Sequence, residues 1–181
     1  MIFAAAIPIG IVAGWLIGGR LDGVSAIRFR WAPLAVLGLL AQVVLFSGLA
    51  DGLDEGAVAV LYVGTTLAVF VALLRNLRLT GLPIVAAGAA SNLAAIIANG
   101  GVMPADPGAL AAAGLDPTTG PTNSAVLENP ALQPLTDIFA IPAGVPLSNV
   151  FSIGDVLIMV GIAAAIALAM RRGRIDPSGA S

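Results

Sequence analysis

A few polar side chains in this 181-residue sequence lie within or beside long apolar stretches. Polar groups in such surroundings are costly, and they usually face the protein interior or serve a function. A carboxylate, a hydroxyl and amides brought together could hold a cation or a polar headgroup, or transfer a proton. The candidate members of one polar pocket are Asp155, Ser152, Asn149, Asn99, Asn92 and Asp137.

Asp155 also has a purely structural interpretation. Ser152, Ile153, Gly154 and Asp155 have the pattern of a capping box, in which Ser152 is the N-cap residue and Asp155 is the third helical residue. The structural alternative for Asn92 is a hydrogen bond that ties two helices together. Both interpretations stay open at this level.

The composition removes most chemistries. The chain contains no His and no Cys, and all eight of its cationic residues are Arg. Imidazole bases, thiolate nucleophiles and zinc–thiolate sites are therefore excluded, and so is Schiff-base chemistry on Lys. We expect no catalytic residue, no metal and no cofactor. The Lys-free, Ala- and Gly-rich usage is typical of a bacterial protein.

The same composition predicts the fold class. Apolar residues make up 59% of the chain and charged residues only 10%. A soluble globular domain, a disordered chain and a nucleic-acid-binding protein are excluded, because each needs far more polar surface. The sequence predicts an all-α, polytopic membrane helix bundle in a single unit, residues 1–170. Five apolar stretches are long enough to span a bilayer: 2–19, 33–50, 57–74, 80–98 and 151–170.

Arginine placement predicts the orientation of these five spans. If the helices alternate in direction, every arginine falls on one side of the membrane. Because basic residues mark the cytoplasmic side, the N-terminus is predicted outside and the C-terminus in the cytoplasm. This places the chain in the cell inner (cytoplasmic) membrane, with an arginine-rich, flexible tail at 171–181. Residues 99–150 then form a long outer loop.

The outer loop is apolar enough to fold. Asp106, Pro107 and Gly114 have the pattern of a short capped helix. A second short helix is predicted to open at Asn129 and Pro130, with Leu132, Leu135, Ile138 and Phe139 at helical spacing. Together these helices would form an amphipathic lid on the outer membrane surface.

The first span carries a stripe of small residues, Gly10, Gly14 and Gly18, at successive spacings of four. Such a stripe lets another helix backbone approach closely. It could pack within the bundle or form a homodimer, and we expect the first.

Two short segments add a resemblance. Asn99 to Pro104 (N-G-G-V-M-P) closes the fourth span, and Ser152 to Asp155 (S-I-G-D) opens the fifth. With the hydropathy pattern, they resemble an uncharacterised family of small bacterial multi-pass membrane proteins, a domain of unknown function. The resemblance covers roughly residues 1–170. It implies a membrane location and no known activity.

Three functions compete at this level. The first is a non-enzymatic component or accessory of a membrane assembly, favoured by the few ionisable groups and the small-residue stripes. The second is a small oligomeric transporter or channel for a lipid or apolar solute, favoured by polar groups beneath a lid. The third is a membrane-embedded enzyme that uses carboxylates such as Asp137 and Asp155. The expected partners are the lipid bilayer and either other membrane proteins or further copies of the chain, with no nucleic acid.

Overall fold

The computed structural model describes residues 2–50, 52–116 and 124–175, and these residues are mostly helical. The α-helices are α1 (Ala6–Leu16), α2 (Asp22–Ser25), α3 (Ala32–Leu45), α4 (Glu55–Leu74), α5 (Leu82–Ala98), α6 (Pro107–Ala113) and α7 (Ile153–Ile175). The short strands are β1 (Met103–Pro104), β2 (Ser124–Ala125), β3 (Phe139–Ile141) and β4 (Asn149–Phe151). β1 pairs with β2 in parallel, and β3 pairs with β4 in antiparallel register.

Each of the five predicted spans corresponds to one apolar helix, whose first and last residues differ from the predicted ones. In the described part of the chain, Glu55–Leu74 and Ile153–Arg172 are long and apolar enough to cross a membrane by length and composition. α1, α3 and α5 are apolar but shorter, with 11, 14 and 17 residues. α7 continues to Ile175, so it includes the first residues of the predicted flexible tail, whereas 176–181 lie outside the described residues.

The long helices pack in the order α3, α4, α5, α7, α1. α4 lies between α3 and α5, and α7 lies between α5 and α1, while the short α2 packs on α7. Leu73, Leu82, Val85 and Ala86 form a buried cluster where α4 and α5 meet, against Ile158, Ile162 and Ala165 of α7. α1 and α3 therefore stand at the two ends of a row.

Charge is segregated along the helix axes, between the two opposite ends of the helices. One end holds the α1–α3 and α4–α5 connections and the C-terminal end of α7, and we call it the arginine end. The Arg20 N–H donates to the Met170 carbonyl at 2.9 Å, and the Arg172 guanidinium donates to the Thr80 hydroxyl at 2.8 Å. At the opposite end, which we call the loop end, α4 begins at Glu55 and α7 begins at Ile153. The described loop residues 99–116 and 124–152 lie there.

The small-residue stripe on α1 packs inside the molecule. A Cβ on Gly10 would lie 2.9 Å from the Ala163 carbonyl oxygen of α7, and one on Gly14 would lie 2.9 Å from Met170 Cε. Gly18, the third residue of the predicted stripe, lies beyond the end of α1. α1 ends at Leu16, and Gly18 has φ +74, a left-handed conformation that suits glycine after a helix end. Gly10 and Gly14 thus serve intramolecular packing.

The loop was predicted in part. α6 has the expected caps, because the Asp106 carboxylate accepts from Ala109 N at 2.9 Å and Gly114 is left-handed with φ +68. The second predicted helix is wrong: its region holds a 3₁₀ turn at Gln133–Leu135 and then β3. Pro134 lies in the first turns of that region, where it cannot donate a helical hydrogen bond. Ala105, Ala109, Leu110, Ala113 and Val150 give the loop a small core of its own.

Candidate functional site

Asn92, Ser152 and Asp155 form a closed hydrogen-bonded cluster where α5 meets the first turn of α7. Asn92 Nδ2 donates to Asp155 Oδ1 at 2.7 Å, and Ser152 Oγ donates to Asn92 Oδ1 at 2.8 Å. Ser152 is fully buried, with 0% of its surface exposed. We call these three residues the polar cluster. Hydrogen bonds in which one partner is ionised are the stronger ones, so the Asn92–Asp155 bond is expected to dominate.

The capping box builds one half of this cluster. The Asp155 backbone N–H donates to Ser152 Oγ at 3.1 Å, and the Ser152 backbone N–H donates to Asp155 Oδ2 at 3.1 Å. This is the reciprocal pair of bonds that the sequence pattern predicts. The start of α7 therefore fixes both side chains locally, before any other helix contributes.

Two glycines allow Asn92 to reach this cap. Gly88 of α5 and Gly154 of α7 face each other, and a Cβ on Gly154 would lie 2.7 Å from the Gly88 carbonyl oxygen. About two helical turns away, Gly81 and Gly161 make a similar contact. A Cβ on Gly161 would lie 2.9 Å from the Gly81 carbonyl oxygen. Small residues at a helix crossing permit this close backbone approach. The polar cluster thus depends on the crossing of α5 and α7.

The polar atoms of the cluster hydrogen-bond to one another and to the backbone at the start of α7. Both Asp155 oxygens accept protein hydrogen bonds, the Asn92 amide both donates and accepts, and the Ser152 hydroxyl does the same. A cation or substrate would have to share these groups with the bonds that join α5 to α7. Among the described residues, no group of three or more acidic side chains is placed to hold a metal ion. The geometry suits helix capping and helix-to-helix attachment.

The structure ties the other candidate residues to different segments. The Asn99 side chain pairs with the backbone of Ala131, accepting from its N–H at 2.8 Å and donating to its carbonyl at 2.9 Å. Asn149 lies in β4 opposite Ile141. Asp137 is buried, and its backbone bonds to Pro104 and Asp106. These residues organise the loop.

Asn76 is a buried polar residue that the sequence reasoning missed. Only 3% of its surface is exposed, and it lies just beyond the end of α4, at the arginine end. Its amide accepts from Arg30 N at 2.7 Å and donates to the Arg30 carbonyl at 2.8 Å and the Ala72 carbonyl at 2.7 Å. An Asn directly after an apolar helix was the available signal. The neighbouring Arg75 guanidinium lies 4.6 Å from the centroid of the Trp31 ring.

Comparison with known proteins places the chain in a family. A family model described as "Family of unknown function (DUF5317)" matches residues 26–167, which is most of the chain and includes the polar cluster. The predicted resemblance to an uncharacterised family is confirmed. No curated protein and no solved structure shows significant similarity to the chain.

Proposed function

We propose that this chain, which belongs to the DUF5317 family of unknown function, is a five-span protein of the bacterial cytoplasmic membrane. We propose further that it is a non-enzymatic component of a membrane assembly. In this arrangement the arginine end faces the cytoplasm, and the loop end faces outward.

The segregation of charge carries the topology. All eight arginines belong to segments of the arginine end. Among the residues that the structure describes, Asp22 is the one acidic residue at that end. Asp54, Glu55, Asp106, Glu128 and Asp155 belong to the loop end. Arginine in short loops beside membrane helices marks the cytoplasmic side. Five alternating helices put every arginine on one side, and a miscount by one helix would scatter them.

The apolar surfaces of the row support a membrane setting. α3 exposes Leu34, Val36, Leu37, Leu39, Leu40, Val43 and Val44, and α1 exposes Ile7, Ile9, Val12, Trp15 and Leu16. Soluble monomers rarely expose contiguous apolar patches larger than a few hundred Å². Lipid, or a helix of another protein, would cover these faces. Because α1 and α3 end the row, each has a wide face that the described residues leave uncovered.

α5, the longest of the three short apolar helices, fits a bilayer with some adjustment. The 17 residues of α5 rise about 25 Å at 1.5 Å per residue, against a hydrocarbon core of about 30 Å. A shorter span is accommodated by thinning of the bilayer and by flanking arginines whose side chains extend to the interface. Arg75 and Trp31 occupy such a flanking position at the arginine end.

The polar cluster supports a structural role in preference to catalysis. The Asp155 carboxylate caps α7 and accepts a hydrogen bond from Asn92 of α5. These bonds hold the helix start and join the two helices. The transporter and enzyme alternatives both require polar groups that are available to a ligand.

Single-cysteine labelling tests the topology, because the chain has no native Cys. Ser25→Cys lies at the arginine end and Glu128→Cys in the loop, and both positions are exposed. A membrane-impermeant thiol reagent applied to intact cells should label the Glu128 variant alone, and permeabilised cells should label both. Equal labelling of the two variants in intact cells would contradict the five-span topology.

Photo-crosslinking tests the assembly. A photoreactive residue replaces Leu37, which is 64% exposed on the free face of α3, and Ala95, which is fully buried, serves as the control position. The Leu37 position should give a discrete protein adduct in cells, because a stable partner covers that face. Adducts with lipid alone at Leu37, and equally at Trp15 on α1, would contradict the assembly.

A further inference from the structure

A groove opens at the arginine end, between α7 and the start of α5 with the connection before it, and Ile27 of the α2–α3 connection also lines it. It encloses about 290 Å³, including the space at its open mouth. Five of its seven lining residues are apolar and two are polar: Ile27, Leu79, Leu82, Ala165 and Ala169, then Thr80 and Arg172. We call this surface the α5–α7 groove. It has an apolar floor and a single cationic side chain.

The polar residues of the groove are poised to bind an anion. Arg172 Nη2 donates to Thr80 Oγ1 at 2.8 Å, and the Arg172 side chain is exposed. A guanidinium carries five N–H donors, so donors remain for a ligand. Since Thr80 Oγ1 accepts from Arg172, its own O–H is left to donate. The described ion pair at this end joins two other residues, Arg20 and Asp22, at 3.4 Å.

We infer that the α5–α7 groove binds an anionic phospholipid, with the phosphate at Arg172 and Thr80 and an acyl chain against the apolar floor. This inference rests on the proposed membrane topology, which puts the groove at the cytoplasmic surface. Basic pockets between membrane helices on that side bind anionic headgroups, and arginine matches the geometry of phosphate oxygens. A soluble phosphate would leave the apolar floor exposed to water, so the lipid is the better occupant.

The surrounding charge favours an anionic lipid over a zwitterionic one. Arg171 precedes Arg172 in α7, and the backbone N–H of Arg20 bonds to the Met170 carbonyl, while the Arg20 side chain is paired with Asp22. Each basic residue near a membrane surface contributes about 1 kcal/mol of attraction to anionic lipid. A zwitterionic headgroup brings its own cation into this field and loses that gain.

Native mass spectrometry of the detergent-solubilised full chain tests the site. Dioleoylphosphatidylglycerol and dioleoylphosphatidylcholine are the probes, added separately over a concentration series. The wild-type chain should bind phosphatidylglycerol at least about tenfold more tightly than phosphatidylcholine. Arg172→Gln should weaken that binding by about tenfold, since a phosphate contact is lost. The matched control is Arg78→Gln, an exposed residue of the same end that does not line the groove, and it should change binding by less than about twofold.

Two further variants separate a site from a general surface effect. Arg172→Lys keeps the charge but loses the planar fork of donors, so its affinity should fall between those of the wild type and Arg172→Gln. Ala169→Leu should fill the groove and weaken binding without changing the charge. Melting in lipid-free detergent shows whether each variant is folded. Equal weakening by Arg172→Gln and Arg78→Gln, or no lipid preference in the wild type, would overturn the site.

The outcome separates this inference from the proposed topology. All variants are first fractionated, and each should sediment with membranes and resist extraction by carbonate. A wild-type chain that leaves the membrane fraction would overturn the proposed topology together with the site. Membrane-embedded variants that retain the full lipid preference would overturn the site alone, and so would equal stabilisation by inorganic phosphate without lipid.

Discussion

Replacing Gly154 by Ala should break the crossing of α5 and α7 at the polar cluster. The new Cβ would lie 2.7 Å from the Gly88 carbonyl oxygen and 2.8 Å from Asn92 Cγ. The first neighbour is backbone and cannot rotate away. The second can move only by giving up its bonds to Asp155 and Ser152. The two helices must therefore separate, and Asn92 must leave the cluster.

The size of the effect follows from these two losses. Overpacking a well-packed contact destabilises by about 1–3 kcal/mol. Losing a hydrogen bond to a charged group removes about 1.5–3 kcal/mol. Alanine regains less than about 1 kcal/mol through its higher helix propensity. The expected decrease in the free energy of unfolding is about 2–5 kcal/mol. In a chain of this size, that lowers Tm by roughly 5–15 °C.

Thermal unfolding in detergent, followed by circular dichroism, measures the change. Gly64→Ala is the matched control, because a Cβ on Gly64 meets nothing within 4 Å. That substitution should leave the stability unchanged or raise it by up to about 1 kcal/mol. If Gly154→Ala melts at or above the wild-type temperature, α5 and α7 do not cross as closely as described, and the reasoning fails.

Three further substitutions test other contacts by the same unfolding measurement. Asp155→Asn should lower the free energy of unfolding by about 1–3 kcal/mol, because both carboxylate oxygens accept hydrogen bonds and an amide has one oxygen. An unchanged Tm would show that the polar cluster contributes no stability. Asn76→Ala should destabilise by about 2–4 kcal/mol, since it leaves the Arg30 backbone unpaired, whereas the exposed Asn129→Ala should have little effect. Gly14→Leu should destabilise by at least about 1–3 kcal/mol through collision with Met170, and a stable variant would mean that α1 and α7 pack differently.

Features set by neighbouring residues could be predicted from the sequence. The capping box at Ser152 and Asp155 needs four consecutive residues, and the cap of α6 needs only Asp106 and the proline after it. The long helices follow from apolar stretches without internal charge. Each of these signals acts within one or two turns of the chain, so no knowledge of the tertiary structure is required.

Features that depend on distant partners were predicted poorly. Gly88 and Gly154 meet across 66 positions of sequence, and the spacing within each helix does not reveal its partner. The helix predicted from Asn129 onward followed the spacing of its apolar residues, but Phe139 instead pairs with Phe151 in a strand ladder. Their rings stack with centroids 5.5 Å apart. The predicted pocket also included Asn99 and Asn149, and the structure places the Asn99 side chain on the backbone of Ala131 and Asn149 in β4 opposite Ile141.

Asn76 and Asn99 solve one physical problem at opposite ends of the molecule. The last carbonyl groups of a helix lack the full set of helical partners, and each asparagine side chain donates to the carbonyl four residues earlier, Ala72 or Ala95. The Ala95 carbonyl also accepts from the Asn99 backbone N–H. The rest of the amide pairs with both the N–H and the carbonyl of one residue in a passing segment, Arg30 or Ala131. Aspartate lacks the donor and alanine lacks both groups, so neither could replace this amide. One side chain thereby closes a helix and holds the adjoining segment, which fixes the ends of α4 and α5 where the chain leaves the helix row.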